Sequence, residues 1–499
     1  MAKVLLFNPR SANNKPRIPN SILSIAASIE GLFEYVIVDG NLEKNPHEKI
    51  LTYLAEGGFG YFGCTTMPGP QLKQAIPVSK AVKNLYPSIK IFWGGYFASN
   101  QSNVVLGSGY VDFVINGPGD KCFPALLKAL DKNESFDTIP NLIYQVSGEI
   151  IKTKKDELYE QDELPMLPYH KLNNFYPLQK YLGNSYLGSK TIAYHSSVGC
   201  PFTCSFCAVV PIYKGRWKAK SAQMVYDDIK SLKDKYGGNA VEFHDNNFFV
   251  SEKRTVEFAK LIKKEQMVWW GEGRIDTINK YTDESLALMR ESGCKMIFFG
   301  AETGNDDILK SMHKGGTQSA KQIRQFAARL ASFDIIPEYS FVLGTPAATP
   351  QQVMKQIDND IAFIREIKTI NPKTEIVIYV YSPVATEGSD MYKKVLESGF
   401  RFPLKLEEWI SPQWESFDLR KNPLTPWLTP AMIDKIKDFE TVLNSYYPTV
   451  SDIRLTSAKR LTMRIAASLR YQLRLYKKPY ELKLLQVLWK YRQPEIQGF

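Results

Sequence analysis

Residues 197–208 read Ser197-Val198-Gly199-Cys200-Pro201-Phe202-Thr203-Cys204-Ser205-Phe206-Cys207-Ala208. The cysteines form a CxxxCxxC run. An apolar segment, Thr191–Ser196, precedes it, and a helical pattern, Lys220–Tyr236, follows. The run therefore occupies a strand-to-helix loop, where a βα barrel carries its chemistry. Three thiolates at this spacing wrap one face of a [4Fe–4S] cubane and leave the fourth iron without a protein ligand. That open iron can take the amino and carboxylate groups of a small molecule, the geometry needed for one-electron cleavage of a sulfonium compound. A structural zinc site wants four ligands. His195 could supply the fourth, but it lies on the preceding strand and reads as a polar strand residue that points elsewhere.

Outward from the cysteines, strands and helices alternate. Candidate strands are Thr191–Ser196, Ala240–Phe243, Met267–Ile275, Met296–Gly300, Ile336–Leu343 and Glu375–Tyr381. Helices are expected at Lys220–Tyr236, Glu252–Lys264, Asp283–Ser292, Thr317–Phe333 and Pro350–Ile367. Six βα units predict a partial (β/α)6 barrel of the TIM type over residues 191–400. Upstream, Val4–Phe7, Tyr35–Gly40, Phe59–Thr65, Ile89–Gly95 and Asp112–Gly117 read as near-continuous apolar strands, with helices such as Gln71–Leu85 and Phe123–Leu130 between them. That pattern predicts an α/β domain over 1–140, a doubly wound, Rossmann-like parallel sheet that binds ligands at the carboxyl ends of its strands. Residues 141–190, broken by Pro165, Pro168 and Pro177, read as a linker with a hairpin around Leu142–Lys152. Residues 401–499 read as an aromatic, proline-rich stretch and then helices.

The chain has 499 residues, 44% of them hydrophobic and 23% charged, the balance of a globular protein with several cores. Six cysteines do not make a disulfide framework. Cys64, Cys122 and Cys294 are scattered and read as buried thiols. No spanning helix and no signal peptide is legible, so the cytoplasm is the default location. The net charge is +11. Residues 451–499 carry 11 Lys/Arg against 3 Asp/Glu, so most of the excess lies in this tail.

With its cysteine run, the chain resembles the radical S-adenosylmethionine superfamily. Other segments resemble that family's landmarks: Glu242-Phe243-His244-Asp245-Asn246-Asn247-Phe248, Gly273-Arg274-Ile275-Asp276, Gly300-Ala301-Glu302-Thr303-Gly304 and Phe341-Val342-Leu343-Gly344-Thr345-Pro346. The resemblance implies a [4Fe–4S] cluster on Cys200, Cys204 and Cys207. It also implies S-adenosylmethionine contacts from His244, Asp245, Asn246, Arg274, Glu302 and Gly344. The N-terminal region is similar to the cobalamin-binding domain fused to many members. That implies cobalamin contacts from Thr65, Thr66, Gln71, Gly94, Gly95, Tyr96 and Gly117. No D-x-H-x-x-G motif is present, so no histidine of this domain is expected on cobalt. Gly117-Pro118-Gly119-Asp120 stands where relatives commonly have Gly-Glu-Gly-Glu.

The family implies a cobalamin-dependent radical enzyme supplied by an external one-electron reductant of flavodoxin or ferredoxin type. Methylation of an unactivated carbon in a small or hydrophobic substrate is the expected reaction. Radical cyclisation without methyl transfer, as on a porphyrin ester, is the alternative. A tRNA methylthiotransferase would need a second cysteine trio, and only Cys64 and Cys122 precede Cys200. A cobalamin or iron–sulfur sensor would keep the cofactors without turnover. In the tail, Leu461, Ile465, Leu469 and Leu473 recur beside Arg460, Arg464, Arg470 and Arg474, and Leu482, Leu485, Leu488 and Trp489 lie beside Lys483 and Lys490. Such basic amphipathic helices can lie on a membrane surface. The reading preferred from sequence is a cap whose leucines pack on the barrel. Charge alone does not point to nucleic acid.

Overall fold

Short apolar runs ending in glycine or small polar residues become the strands of two sheets. The computed structural model describes residues 2–11, 16–314, 317–383, 390–414 and 424–491. The first sheet contains β1 (Lys3–Asn8), β2 (Tyr35–Asp39), β3 (Phe59–Thr65), β4 (Lys90–Gly94), β5 (Phe113–Ile115), β6 (Leu142–Val146) and β7 (Glu149–Lys152), in the order β2-β1-β3-β4-β5-β6-β7. The first five strands pair in parallel. The strand order reverses beside β1, which creates a switch point whose strand ends face outward. Helices Asn20–Ile29, Pro46–Ala55, Pro70–Leu85 and Cys122–Lys132 connect these strands. The helix starting at Pro46 begins where its sequence says it should: Asn45 accepts from the Glu48 amide, and Pro46 occupies the first turn.

The expected hairpin forms, but not within a linker. β6 pairs antiparallel with β5, and β7 pairs with β6, so the hairpin completes the first sheet, and Leu172, Tyr176, Leu178 and Tyr181 beyond it join the core. Phe136 and Tyr144 meet edge to face at 4.8 Å, giving this edge an apolar side that composition did not reveal.

The second sheet contains β8 (Thr191–Tyr194), β11 (Ala240–Phe243), β12 (Val268–Gly273), β13 (Cys294–Glu302), β14 (Ile336–Leu343) and β15 (Glu375–Val380). Its order is β15-β14-β13-β12-β11-β8, with every pair parallel. β8 and β15 are its two edges, so the barrel is six-stranded and open, as expected. The sequence reading missed a ribbon: β9 (Ser197–Gly199) pairs antiparallel with β10 (Trp217–Ala219), closing the cysteine loop at its base. Two three-residue strands are too short to show periodicity.

One apolar core runs from β1 through the barrel to the C-terminal helices. The aromatic stretch after Phe400 folds back onto the first domain, where Trp409 meets Phe97 edge to face at 5.0 Å. Among the described residues no helix is long and apolar enough to cross a membrane.

The tail overturns the cap reading. Helix Ser457–Gln472 buries Met463, Ala467 and Tyr471. Tyr471 stacks on Tyr446 at 4.5 Å and accepts at its carbonyl from Arg365. Leu461, Ile465, Leu469 and Leu473 lie two residues out of phase with that stripe, about 200° round the helix. They stand 59–67% exposed. Both stripes share one period, so spacing could not tell which side was inward.

Gly293 enters β13 at φ +101°, and a Cβ there would lie 2.0 Å from the Met267 carbonyl oxygen. Gly293→Ala is expected to destabilise the fold by about 3 kcal/mol, read as a lowered midpoint in denaturant melts.

Candidate active site

The cysteine loop leaves β9 at Gly199, whose φ is +76°. A Cβ at Gly199 would sit 2.2 Å from the Arg216 carbonyl oxygen, so only glycine allows β9 and β10 to close there. Cys204 is buried, while Cys200 and Cys207 are partly open. The three thiols lie close enough to act on one another's ionisation. Burial is the main cause that raises Cys200 and pushes Cys207 up to about 12. Among the described residues no three His, Cys, Asp or Glu side chains converge on a single ion. Cluster binding spreads thiolates over separate irons and does not need such convergence. Cys64, Cys122 and Cys294 are buried singly, as expected.

Arg274, after β12, reaches into this loop. Its Nη1 donates to the Cys204 sulfur at 3.0 Å, and its Nε and Nη2 donate to Asp276 at 2.9 and 2.8 Å. The guanidinium lies 3.9 Å from the Phe202 ring centroid.

The residues after β11 divide into distinct roles. Asp245 is buried and accepts from the Ser196 amide, from Ser196 Oγ at 2.8 Å and from Ser197 Oγ. Its oxygens are thus occupied in holding the approach to the cysteine loop. Asn247, two residues on, is 1% exposed, and neither polar atom of its amide has a hydrogen-bond partner. The Cys200 thiol is close enough for the Asn247 side chain to act as a hydrogen bond that favours the thiolate, although the contact lacks the geometry of a full bond. A buried amide with unmet bonds beside the cysteine loop is a place for a polar ligand. The landmark segment includes Asn247, but its sequence alone does not set Asn247 apart from the polar residues beside it.

His244 contacts Arg17 and sits 3.2 Å from Glu242, which also pairs with Arg17 at 3.2 Å. Burial, then the Arg17 charge, lowers His244 to about 4, so it is neutral at physiological pH. His195 is exposed, with its ring 6.2 Å from that of His244. Glu302 adopts φ +64°, and Lys314 Nζ donates to it at 2.6 Å and to the Gly300 carbonyl at 2.7 Å. Lys314 is buried and adds positive charge near Cys207. Its one sequence cue was a lysine before two glycines, an ordinary loop signal. Gly344 has φ +84°, and its carbonyl accepts from Trp427 Nε1 at 3.0 Å.

The first domain's strand-end loops meet this mouth. Tyr96 OH donates to Asn246 Oδ1 at 2.9 Å, joining a residue expected on cobalamin to one expected on S-adenosylmethionine. Asn100 Nδ2 donates to the Ala208 carbonyl at 3.1 Å, and Lys155 Nζ bridges Asn116 to the Ile212 carbonyl. Gly95 lets these loops interlock, since a Cβ there would meet the Thr66 carbonyl oxygen at 2.5 Å. A Cβ on Gly94 would enter open space, and one on Gly117 would come no closer than 3.7 Å to the Ile212 methyl and 4.0 Å to Lys155 Nζ. Thr65 accepts from Ser21 at its rim. Thr66 and Gln71 turn inward: Thr66 donates to the Gly94 carbonyl, and Gln71 accepts from the Met67 amide and donates to the Pro9 carbonyl.

Glu272, on β12, was not singled out from sequence. Burial pushes it up to about 8, with Asp245 and Glu338 adding to the shift. Between its ordinary 4.5 and about 8 the folded state binds a proton that the unfolded state has lost, so stability falls as pH rises through that window. Melts of Glu272→Gln against the parent chain should coincide near pH 5, with the variant gaining a higher melting temperature by pH 8.

Residues 194–399 match the radical SAM superfamily. The chain is 26% identical over 376 residues to an uncharacterized methyltransferase of Pyrococcus horikoshii, covering 72% of this chain and 79% of that protein. Its fold is similar to that of the radical S-adenosylmethionine methyltransferase TsrM of Kitasatospora setae, solved with cobalamin and a [4Fe–4S] cluster, at a TM-score of 0.66 and 16% identity over 98% of this chain and 100% of that one. It is also similar to the cobalamin-dependent S-adenosylmethionine radical enzyme OxsB, at a TM-score of 0.69 and 13% identity over 98% of this chain and 75% of that one. With three cysteines on the first barrel loop and six parallel strands behind them, residues 194–399 are a radical SAM domain, and the α/β domain ahead of the barrel shares its fold with TsrM and OxsB.

Proposed function

We propose that this enzyme is a cobalamin-dependent radical S-adenosylmethionine C-methyltransferase. The observation that carries the reading is the Tyr96–Asn246 hydrogen bond of 2.9 Å, which brings the strand ends of the first domain to the mouth that holds the cysteines. Two cofactors bound on opposite sides of that joint would face one substrate space.

In this reading Cys200, Cys204 and Cys207 hold the cluster, and Arg274 positions the Cys204 sulfur through its Nη1 hydrogen bond. Asn247, whose amide bonds are unmet, meets S-adenosylmethionine together with Asn246, His244, Glu302 and Gly344. Asp245 acts beneath them as an anchor rather than a contact. Thr65, Gly94, Gly95, Tyr96 and Gly117 border the corrin, where missing side chains allow a flat ring to approach backbone. Thr66 and Gln71 shape that rim from inside. When bound, the cluster and S-adenosylmethionine supply a 5′-deoxyadenosyl radical and the cobalamin supplies the methyl group. The chain's own work is to orient the three groups and to exclude water. An external one-electron reductant serves the site, and the substrate is a small or hydrophobic molecule.

The test is anaerobic turnover with methyl-labelled S-adenosylmethionine and a reductant, using protein that shows cobalamin absorption. The expected outcome is 5′-deoxyadenosine together with label in a carbon-bound methyl group of product. Label that never reaches product while 5′-deoxyadenosine accumulates would favour radical cyclisation, and cofactors without cleavage would favour a sensor. Replacing Cys200, Cys204 or Cys207 with alanine should lower 5′-deoxyadenosine formation at least about 100-fold and remove bound iron, while far-ultraviolet dichroism stays unchanged.

A further inference from the structure

Two neighbouring helices at the end of the chain, Ser457–Gln472 and Tyr480–Leu488, turn apolar side chains away from the protein. Leu461, Ile465, Leu469 and Leu473 form a stripe about 18 Å long on the first. Leu484, Val487 and Leu488, on the second, are 59–72% exposed. Isolated exposed leucines are ordinary, but a contiguous set on adjoining helices marks a contact surface.

The charges around this surface indicate its partner. Arg460 and Arg470 are engaged internally, the first with the Leu455 and Asp452 carbonyls and the second with Glu481. Lys483 pairs with Asp438 at 2.6 Å. Lys459 and Arg464 rest over the rings of Trp489 and Tyr446. Lys459, Arg464, Arg474, Lys477, Lys478 and Lys490 have no carboxylate partner among the described residues. Among the described residues, 451–491 therefore present a positive field around a greasy stripe, with Tyr480 exposed beside it. Aliphatic side chains flanked by unpaired cations and an aromatic rim suit the interface of an anionic bilayer, where the stripe enters the headgroup boundary and the cations meet lipid phosphates.

We infer that the two C-terminal helices dock this enzyme on the surface of an anionic lipid bilayer. The contact is peripheral and reversible, since neither helix is long enough to span. It is independent of the methyl-transfer reading, because none of its residues belongs to the barrel mouth.

Flotation of the full-length protein with phosphatidylcholine vesicles, and with vesicles containing about one third phosphatidylglycerol, tests the inference. Binding should be at least about tenfold stronger on the anionic vesicles and should fall as salt is raised. Ile465→Ser with Leu469→Ser should abolish binding on both. Arg464→Gln with Arg474→Gln and Lys478→Gln should bring anionic binding down to the neutral level. The altered side chains are exposed, so melting temperatures should match the parent chain. Failure of the parent chain to bind anionic vesicles, or unchanged binding by the Ile465/Leu469 variant, would overturn the proposal. A concentration-dependent dimer abolished by that variant, with vesicles ignored, would assign the face to a second copy of this chain instead.

Discussion

The buried carboxylate of Asp245 fixes the direction in which the cysteine loop leaves the barrel. It stands after β11 and accepts from the backbone and hydroxyl of Ser196 and from the hydroxyl of Ser197, which lead directly into the loop. Arg254 grips Ser196 from the other side and also donates to the Lys220 carbonyl at 2.7 Å, beyond the far end of the loop. One acid and one base, both buried, thus hold the two ends of the segment that carries three cysteines. A buried charge is tolerable only when its bonds are met, and here meeting them requires one loop trajectory.

The site grows from that bracket. Gly199 permits the tight closure of the small ribbon, Arg274 comes from β12 to the Cys204 sulfur, and Lys314 comes from beyond β13 to Glu302. Each contributes from the carboxyl end of a different strand, the end at which a parallel barrel gathers its functional groups. The first domain is oriented the same way, with the segments that follow β4 and β7 meeting the mouth through Tyr96, Asn100 and Lys155. The carboxyl strand ends of the two sheets thus meet, joined by the Tyr96–Asn246 hydrogen bond.

At the opposite extreme, the C-terminal helices show that an amphipathic pattern alone does not choose a partner. Helix Ser457–Gln472 uses its smaller stripe, Met463, Ala467 and Tyr471, to seat itself on the protein. Alanine permits close approach, and Tyr471 stacks on Tyr446 while the Arg365 guanidinium lies over its ring at 4.2 Å. The bulkier leucine stripe is left to solvent because the seat was already filled.

Sequence alone determined the two α/β units, the order of their strands along the chain and the cysteine loop, because apolar periodicity and ligand spacing are local properties. Every strand of the six-stranded barrel was legible within about two residues, the usual fraying of element ends. Local signals could not say which polar strand-end residue would be used up by its neighbours. Asp245 and Asn247 differ by two positions and a carboxylate, yet one has its bonds filled and the other has them open. Nor could they show that the Leu142–Lys152 hairpin joins the first sheet, that Lys314 reaches Glu302, or that Tyr96 meets Asn246 across 150 residues of chain. Those outcomes depend on packing between segments distant in sequence, and only the tertiary structure brings such groups within hydrogen-bonding range.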